Sequence, residues 1–152
     1  MKTRASDALL YHDLMIEVLV ADDAQAAAAL WASVGLTRPW NDPLADFARA
    51  VTGATSTVLG LRDDGELVGT VMVGNDGHRG WAYYLAVSPA LRGRGLGALL
   101  MRSGEEWLKE RGVVKIQLMV RQTKGEVHAF YEHLGYEISE VSVLAKWLLP
   151  PA

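Results

Sequence analysis

Hydrophobic positions along the chain switch between a period of two and a period near 3.6, which predicts strands interleaved with helices. Met15-Ile16-Glu17-Val18-Leu19-Val20 reads as a first strand, and residues 1–14, which lack a clean period, read as a dispensable extension. The alanine-rich stretch from Ala24 to about Val34 predicts a helix that Asp22 or Asp23 would cap and Gly35 would close. Thr37-Arg38-Pro39-Trp40-Asn41-Asp42-Pro43 then leads into a second helix. Ser56 to Arg62 and Glu66 to Val73 are strands joined by Asp63-Asp64-Gly65, a hairpin signal. A turn over residues 75–80 precedes Trp81 to Val87, apolar on both faces and therefore a central strand.

Leu96, Leu99, Leu100, Ser103 and Trp107 recur at steps of three and four, one buried helical stripe that Gly112 stops. Val113 to Val120 is the next strand. A strand, a crossover helix and a strand imply parallel pairing, whereas the upstream hairpin is antiparallel, so the sheet is mixed. A helix from Glu126 to Leu134 and a final stretch from Tyr136 to Trp147 complete it. The expected fold is α/β: one domain over residues 15–149, with a central mixed twisted sheet of six or seven strands flanked by about four helices.

Composition narrows the function classes. A chain of 152 residues, 50% apolar, can bury one sizeable core. A net charge of −3 argues against a nucleic-acid partner. Against that background Arg79, Arg92, Arg94 and Arg102 would form a local patch serving one ligand. The absence of cysteine removes disulfides, thiolate metal sites and cysteine nucleophiles, and suits a reducing cytoplasm. The N-terminal apolar stretch is broken by His12, Asp13 and Glu17, unlike a secretory signal, and no run approaches membrane-spanning length. The expectation is a cytoplasmic chain with no metal and no membrane partner.

Candidate chemistry centres on Leu91-Arg92-Gly93-Arg94-Gly95-Leu96-Gly97, between a strand and a helix. Glycines let main-chain N–H groups approach a ligand, and a helix beginning near Gly95 aims its unsatisfied donors at the same spot, so the loop suits an anion, phosphate best. It is not a P-loop, because no Gly-Lys-Ser or Gly-Lys-Thr follows. Gly93, Gly95 and Ala98 satisfy the spacing of a dinucleotide fingerprint, but Ser88 to Arg92 separate the strand from the first glycine. The following strand, Lys115-Ile116-Gln117-Leu118-Met119-Val120, also lacks the expected carboxylate.

Arg92-x-x-Gly95-x-Gly97 after Leu85-Ala86-Val87-Ser88-Pro89, with Phe130-Tyr131-Glu132-His133-Leu134-Gly135-Tyr136 downstream, resembles the GNAT acetyltransferase superfamily. The resemblance implies an N-acetyltransferase that uses acetyl-CoA as acyl donor. It further implies that Arg92, Gly93, Arg94, Gly95, Leu96, Gly97 and Ala98 bind the pyrophosphate. Leu85, Ala86 and Val87 would pair with the pantetheine arm where two central parallel strands splay, and a main-chain N–H near Val87 would serve the oxyanion. Tyr131 would assist the departing thiolate. The acceptor is expected to be the amino group of a small molecule, peptide or protein. Many relatives place a glutamate on the strand that here carries Tyr83 and Tyr84, so no base is evident. A lysine-like amine of pKa about 10.4 costs roughly 4.6 kcal/mol to neutralise at pH 7, against about 1 for an α-amino group, so the latter or another weakly basic amine is favoured.

Trp40, Asn41 and Asp42 are the candidates for acceptor recognition, or else a rigid self-capping turn. Asp76, His78 and Tyr83 are candidates for relaying a proton through water, though Asp76 and His78 read more readily as turn residues. Arg38 to Pro43, with Asp76 to Arg79, resembles the bacterial YpeA-like subgroup. Lys124 stands where relatives often carry an asparagine, and is expected to face water. A coenzyme A sensor without turnover and a dinucleotide-binding module remain the alternatives, and a homodimer stays open.

Overall fold

The computed structural model describes residues 14–121 and 124–150. Strands β1 (Leu14–Val18), β2 (Ser56–Asp63), β3 (Glu66–Asn75), β4 (Gly80–Val87) and β5 (Ile116–Gln117) form one sheet in that spatial order. The first four pair antiparallel, and β5 joins β4 in parallel. Helices α1 (Ala24–Ser33), α2 (Pro43–Thr52), α3 (Leu96–Lys109) and α4 (Gly125–His133) flank it. The β2–β3 hairpin turns at Asp64 and Gly65, with φ of 50° and 81°. Left-handed values at both central residues match the twist of the flanking strands, which is why an Asp-Gly pair sits there.

The sheet is covered on both faces. Against α1 and α2 it buries Leu19, Val58 and Leu67 with Ala27, Leu30, Trp31 and Phe47; against α3 it buries Leu59, Leu61, Val71 and Val73 with Leu100, Met101 and Leu108. Phe130 and Tyr131 of α4, with Leu134 at its C-cap, pack on the second of these cores. Both α3 and α4 end as their glycines predict: the Val113 amide reaches Leu108 O (3.1 Å) and the Tyr136 amide reaches Tyr131 O (3.0 Å).

Four expectations change. Leu14 already pairs with Asp63 in β1, so the domain takes in the last residue of the expected extension; residues 1–13 lie outside the described residues. Neither aspartate caps α1, because residues 21–23 form a 3₁₀ turn that runs straight into the helix. The Asp23 carboxylate instead accepts the Val20 amide (2.9 Å) and Arg62 Nη2 (2.6 Å). The strand expected over Val113 to Val120 shrinks to Ile116–Gln117, because the chain leaves β4 after two paired positions. Tyr136 to Trp147 forms no strand: Ile138, Val141, Val143 and Leu144 are exposed and no ladder receives their amides. The sheet therefore has five strands among the described residues, not six or seven.

Candidate functional site

Main-chain donors gather where the glycine loop enters α3. Gly95 occupies the N-cap with φ of 74°, and no side chain caps the helix. The first intrahelical bond runs from the Leu99 amide to Gly95 O (3.1 Å), so the amides of Leu96, Gly97 and Ala98 precede the ladder and stay available to a ligand. No acidic residue stands in the first turn to compete with an anion. A Cβ at Gly95 would meet nothing within 4 Å, leaving the approach clear, whereas one at Gly97 would come to 3.3 Å from the Phe130 ring.

A second set of free backbone groups lies along β4. Its pairing with β5 stops at Gly80↔Ile116 and Trp81↔Gln117, yet β4 continues to Val87, so among the described residues its edge beyond Trp81 has no partner strand. On the other side β4 carries a bulge. Thr70 faces Ala86 and Met72 faces Tyr83, leaving Tyr84 and Leu85 together opposite Val71. Tyr84 takes φ of 51°, an unfavourable conformation for a bulky side chain, costing roughly 1–3 kcal/mol. Several contacts offset it. The Tyr84 ring stacks on Trp31 at 3.9 Å, and its hydroxyl donates to Asp46 Oδ2 (2.7 Å). Thr70 Oγ1 accepts from Trp31 Nε1 (2.8 Å) and donates to the Tyr84 carbonyl (2.9 Å).

Three depressions with shared walls make these groups into one trough. The first, about 540 Å³, is bordered by Leu85, Ala86, Val87, Arg92, Gly93, Gly95, Leu96, Gly97 and Ala98. The second, about 630 Å³, lies between residues 82–85 of β4 and residues 118–121, with Tyr131 and Phe130 on its wall. The third, also about 630 Å³, reaches Asn41, Asp46, Arg49 and Met72. Leu85, Arg92 and Phe130 join the first to the second, and Tyr83, Tyr84, Met119 and Arg121 join the second to the third.

Tyr131 stands mid-trough, edge-on to Phe130 (5.0 Å) and to Tyr136 (5.6 Å), whose own hydroxyl is held by Glu105 (2.6 Å). Burial pushes the Tyr131 phenol up to about 12, so at neutral pH it is a hydrogen-bond donor. Tyr83 is raised by burial and by the Asp76 charge; Tyr84 by burial and the adjoining Asp46 carboxylate.

Of the residues expected to bind a cofactor, all but Arg94 border the first depression. Tyr83 and Asn41 line the third depression; Trp40, Asp42, Asp76 and His78 do not line the trough. Asp42 caps α2, its Oδ1 accepting the Ala45 amide (3.1 Å) with Pro43 in the first turn, as the self-capping alternative has it. The Asp76 carboxylate accepts the Arg79 amide (2.7 Å), the His78 amide (2.8 Å) and Trp81 Nε1 (3.0 Å). Those donors hold it down to about 2, which makes it a poor base. Lys124 is exposed, as expected, and also borders the second depression. Sequence reasoning missed the bulge at Tyr84 and the wall residues Arg38, Asp46, Arg49 and Arg121.

An amide cradle, a strand edge without a partner and a protonated phenol along one trough define a protein shaped for an extended, phosphate-bearing ligand. Residues 16–136 match the family model of the acetyltransferase (GNAT) family. The chain belongs to that family, and it is an N-acetyltransferase. A ribosomal-protein-alanine N-acetyltransferase from Brucella melitensis biovar Abortus 2308 is similar over 90% of this chain and 100% of its own, at 24% identity and a TM-score of 0.72. The aminoglycoside N-acetyltransferase AAC(6')-Iy in complex with CoA is similar over 90% of this chain and 95% of its own, at 14% identity and a TM-score of 0.77. An aminoglycoside acetyltransferase from an uncultured soil metagenomic sample, in complex with sisomicin, covers 93% and 99%, at 16% identity and a TM-score of 0.73. At these identities the likeness is one of fold.

Proposed function

We propose that this chain moves an acetyl group from acetyl-CoA to a primary amine by direct attack on the thioester, with an α-amino or other weakly basic amine favoured. The observation that carries the reading is the continuity of the trough from the free amides of α3, past the unpartnered edge of β4, to Tyr131. The diphosphate lies against the Leu96, Gly97 and Ala98 amides beside Arg92, where charge-assisted bonds are each worth roughly 1.5–3 kcal/mol. The pantetheine amides take the place of a strand along residues 82–87. The diphosphate and the thioester then bracket the first two depressions, and the acceptor enters from the third.

The amine lone pair attacks the thioester carbon, forming the C–N bond. The oxyanion accepts a hydrogen bond from a main-chain N–H near Val87. Collapse breaks the C–S bond, and the proton lost by nitrogen reaches sulfur through water, giving the amide and free thiol. Tyr131 donates to the departing sulfur. With its phenol near 12 and a thiol near 8.5, full transfer is roughly 5 kcal/mol uphill, so a held hydrogen bond is its contribution. Among the described residues the carboxylates along the trough are Asp46, tied to Arg49 (2.6 Å) and Tyr84, and Glu126 in the first turn of α4. A site without a free base beside β4 favours amines that are already partly neutral. By the resemblance of residues 38–43 together with 76–79 the chain is of the YpeA-like subgroup, and Arg38 and Asn41 of the first stretch border the acceptor end.

Thiol release tests it, because a chain without cysteine gives no background with a thiol reagent. Release with acetyl-CoA and an α-amine, lost in Tyr131→Phe, supports transfer. Tight acetyl-CoA binding with no release across a broad amine panel supports the sensor instead.

A further inference from the structure

The acceptor end of the trough has a charge that an ordinary cationic amine does not explain. Three arginines border it, Arg38, Arg49 and Arg121, against one acidic residue, Asp46. That carboxylate is committed: Asp46 Oδ1 accepts Arg49 Nη2 (2.6 Å) and Oδ2 accepts the Tyr84 hydroxyl (2.7 Å). Among the described residues Arg38 and Arg121 have no carboxylate within salt-bridge distance; Arg38 donates only to the neutral carbonyls of Gly35 and Thr37 (2.9 Å each). The excess stands against a whole-chain charge of −3, so it is a local feature. Its position is specific. Arg38 and Arg121 border both the depression that holds Tyr131 and the acceptor depression beyond it, at the junction where amine meets thioester.

We propose that the acceptor carries a carboxylate on the carbon next to its amino group, gripped by Arg38 and Arg121, with an apolar remainder lying on Leu36, Met72 and Met119: a free α-amino acid with an apolar side chain. Guanidinium groups match a carboxylate through paired donors, and their positive field disfavours an amine that brings only its own positive charge. A peptide N-terminus presents a neutral amide where the free amino acid presents the anion, so the two classes are separable; in water that anion makes the free amino acid's amine the more basic of the two, and guanidinium groups on the carboxylate act in the opposite direction, returning the amine toward the range a site without a base favours. The assignment names the acceptor for the transfer reaction above and rests on that reading for its chemistry, but the carboxylate grip has a readout of its own.

The test is calorimetric binding, with saturating CoA, of N-acetylmethionine against N-acetylmethionine amide, which differ in the carboxylate and lack a titrating amine. The acid is expected to bind about tenfold tighter or more, the value of one charge-assisted contact. Arg121→Gln and Arg38→Gln should each shrink that ratio, and the double variant should bring it to about one, while Arg111→Gln, whose guanidinium lies over Trp107 away from the trough, should change it little. Equal affinity of acid and amide in the unaltered protein, or a ratio that survives the double variant, overturns the inference. Thiol release with methionine and methioninamide is followed in parallel and compared per neutral amine, because the amide's amine is the less basic of the two. Acid-selective binding without release from any amine leaves the carboxylate site standing and removes the transfer reading; release that favours the amide, with no acid preference in binding, does the reverse.

Discussion

The two ends of the trough are built by different means. At the phosphate end the working groups belong to the main chain: amides 96–98 and the edge of β4 over residues 82–87, all within one run of sequence. At the acceptor end they are side chains brought from the loop after α1, from α2, β3, β4 and the segment after β5. A main-chain cradle reads any diphosphate and tolerates exchange of most side chains around it. A side-chain wall takes its specificity from each residue separately. On the proposed reading, the first end fixes the shared donor and the second is free to select the acceptor.

Substitutions should separate the ends. The largest effect is expected mid-trough. Tyr131→Phe should lower kcat by about 10² to 10³ while acetyl-CoA affinity stays within about threefold, as steady-state kinetics and calorimetry would show. A comparable loss of affinity would make Tyr131 a packing residue.

Next in size is the support beneath the acceptor wall. Thr70→Val leaves the Trp31 indole N–H and the Tyr84 carbonyl without their partner, and buried groups so orphaned should cost about 1–3 kcal/mol in denaturant unfolding. Because the bulge borders the acceptor side, KM for the amine should rise more than KM for acetyl-CoA. Equal rises would mean that the bulge shapes both ends alike.

The pH profile sets a smaller mark. Burial raises the Tyr131 phenol above its unfolded value, so the protonated donor persists throughout the ordinary assay range and is lost only as pH climbs through about 12. The stabilisation linked to that raised value is likewise complete below the unfolded pKa near 10 and fades above it. Between pH 7 and 10, kcat/KM should rise to a plateau as the amine deprotonates, with no descending limb from this residue. A fall centred near 9 that disappears in Tyr131→Phe would contradict the assignment.

Least of all should Asp76→Asn matter. Its carboxylate serves the turn over residues 76–81 away from the trough, so kcat/KM should move by less than about threefold. A loss of tenfold or more would return Asp76 to the proton path.

The same contrast explains what could be read in advance. Residues 85–98 are contiguous, and alternating glycines before a helical stripe announce their conformation, so the phosphate end was legible almost residue by residue. Leu36, Asp46, Met72, Tyr84 and Arg121 are far apart in sequence, and no local pattern says that folding brings them together. The bulge stayed hidden because β4 is apolar on both faces, and an extra residue leaves no visible break in such a run. Val113 to Val120 misled for a related reason: Leu118, Met119 and Val120 line the trough wall, where the same composition would serve a paired strand. The Asp42-Pro43 pair carried a legible cap signature, which outweighs acceptor contact once Oδ1 is seen on the Ala45 amide.

The most direct measurement compares acetyl-CoA with S-acetylpantetheine, which lacks the diphosphate, against the unaltered chain and Gly95→Val by calorimetry. A β-branched residue at φ of 74° both strains the N-cap and covers the amide cradle. Acetyl-CoA should bind about a hundredfold or more tighter than the fragment in the unaltered chain, and Gly95→Val should bring it down to the fragment's level while the fragment itself binds as before. Acetyl-CoA affinity that Gly95→Val leaves intact would contradict a diphosphate seated on the start of α3.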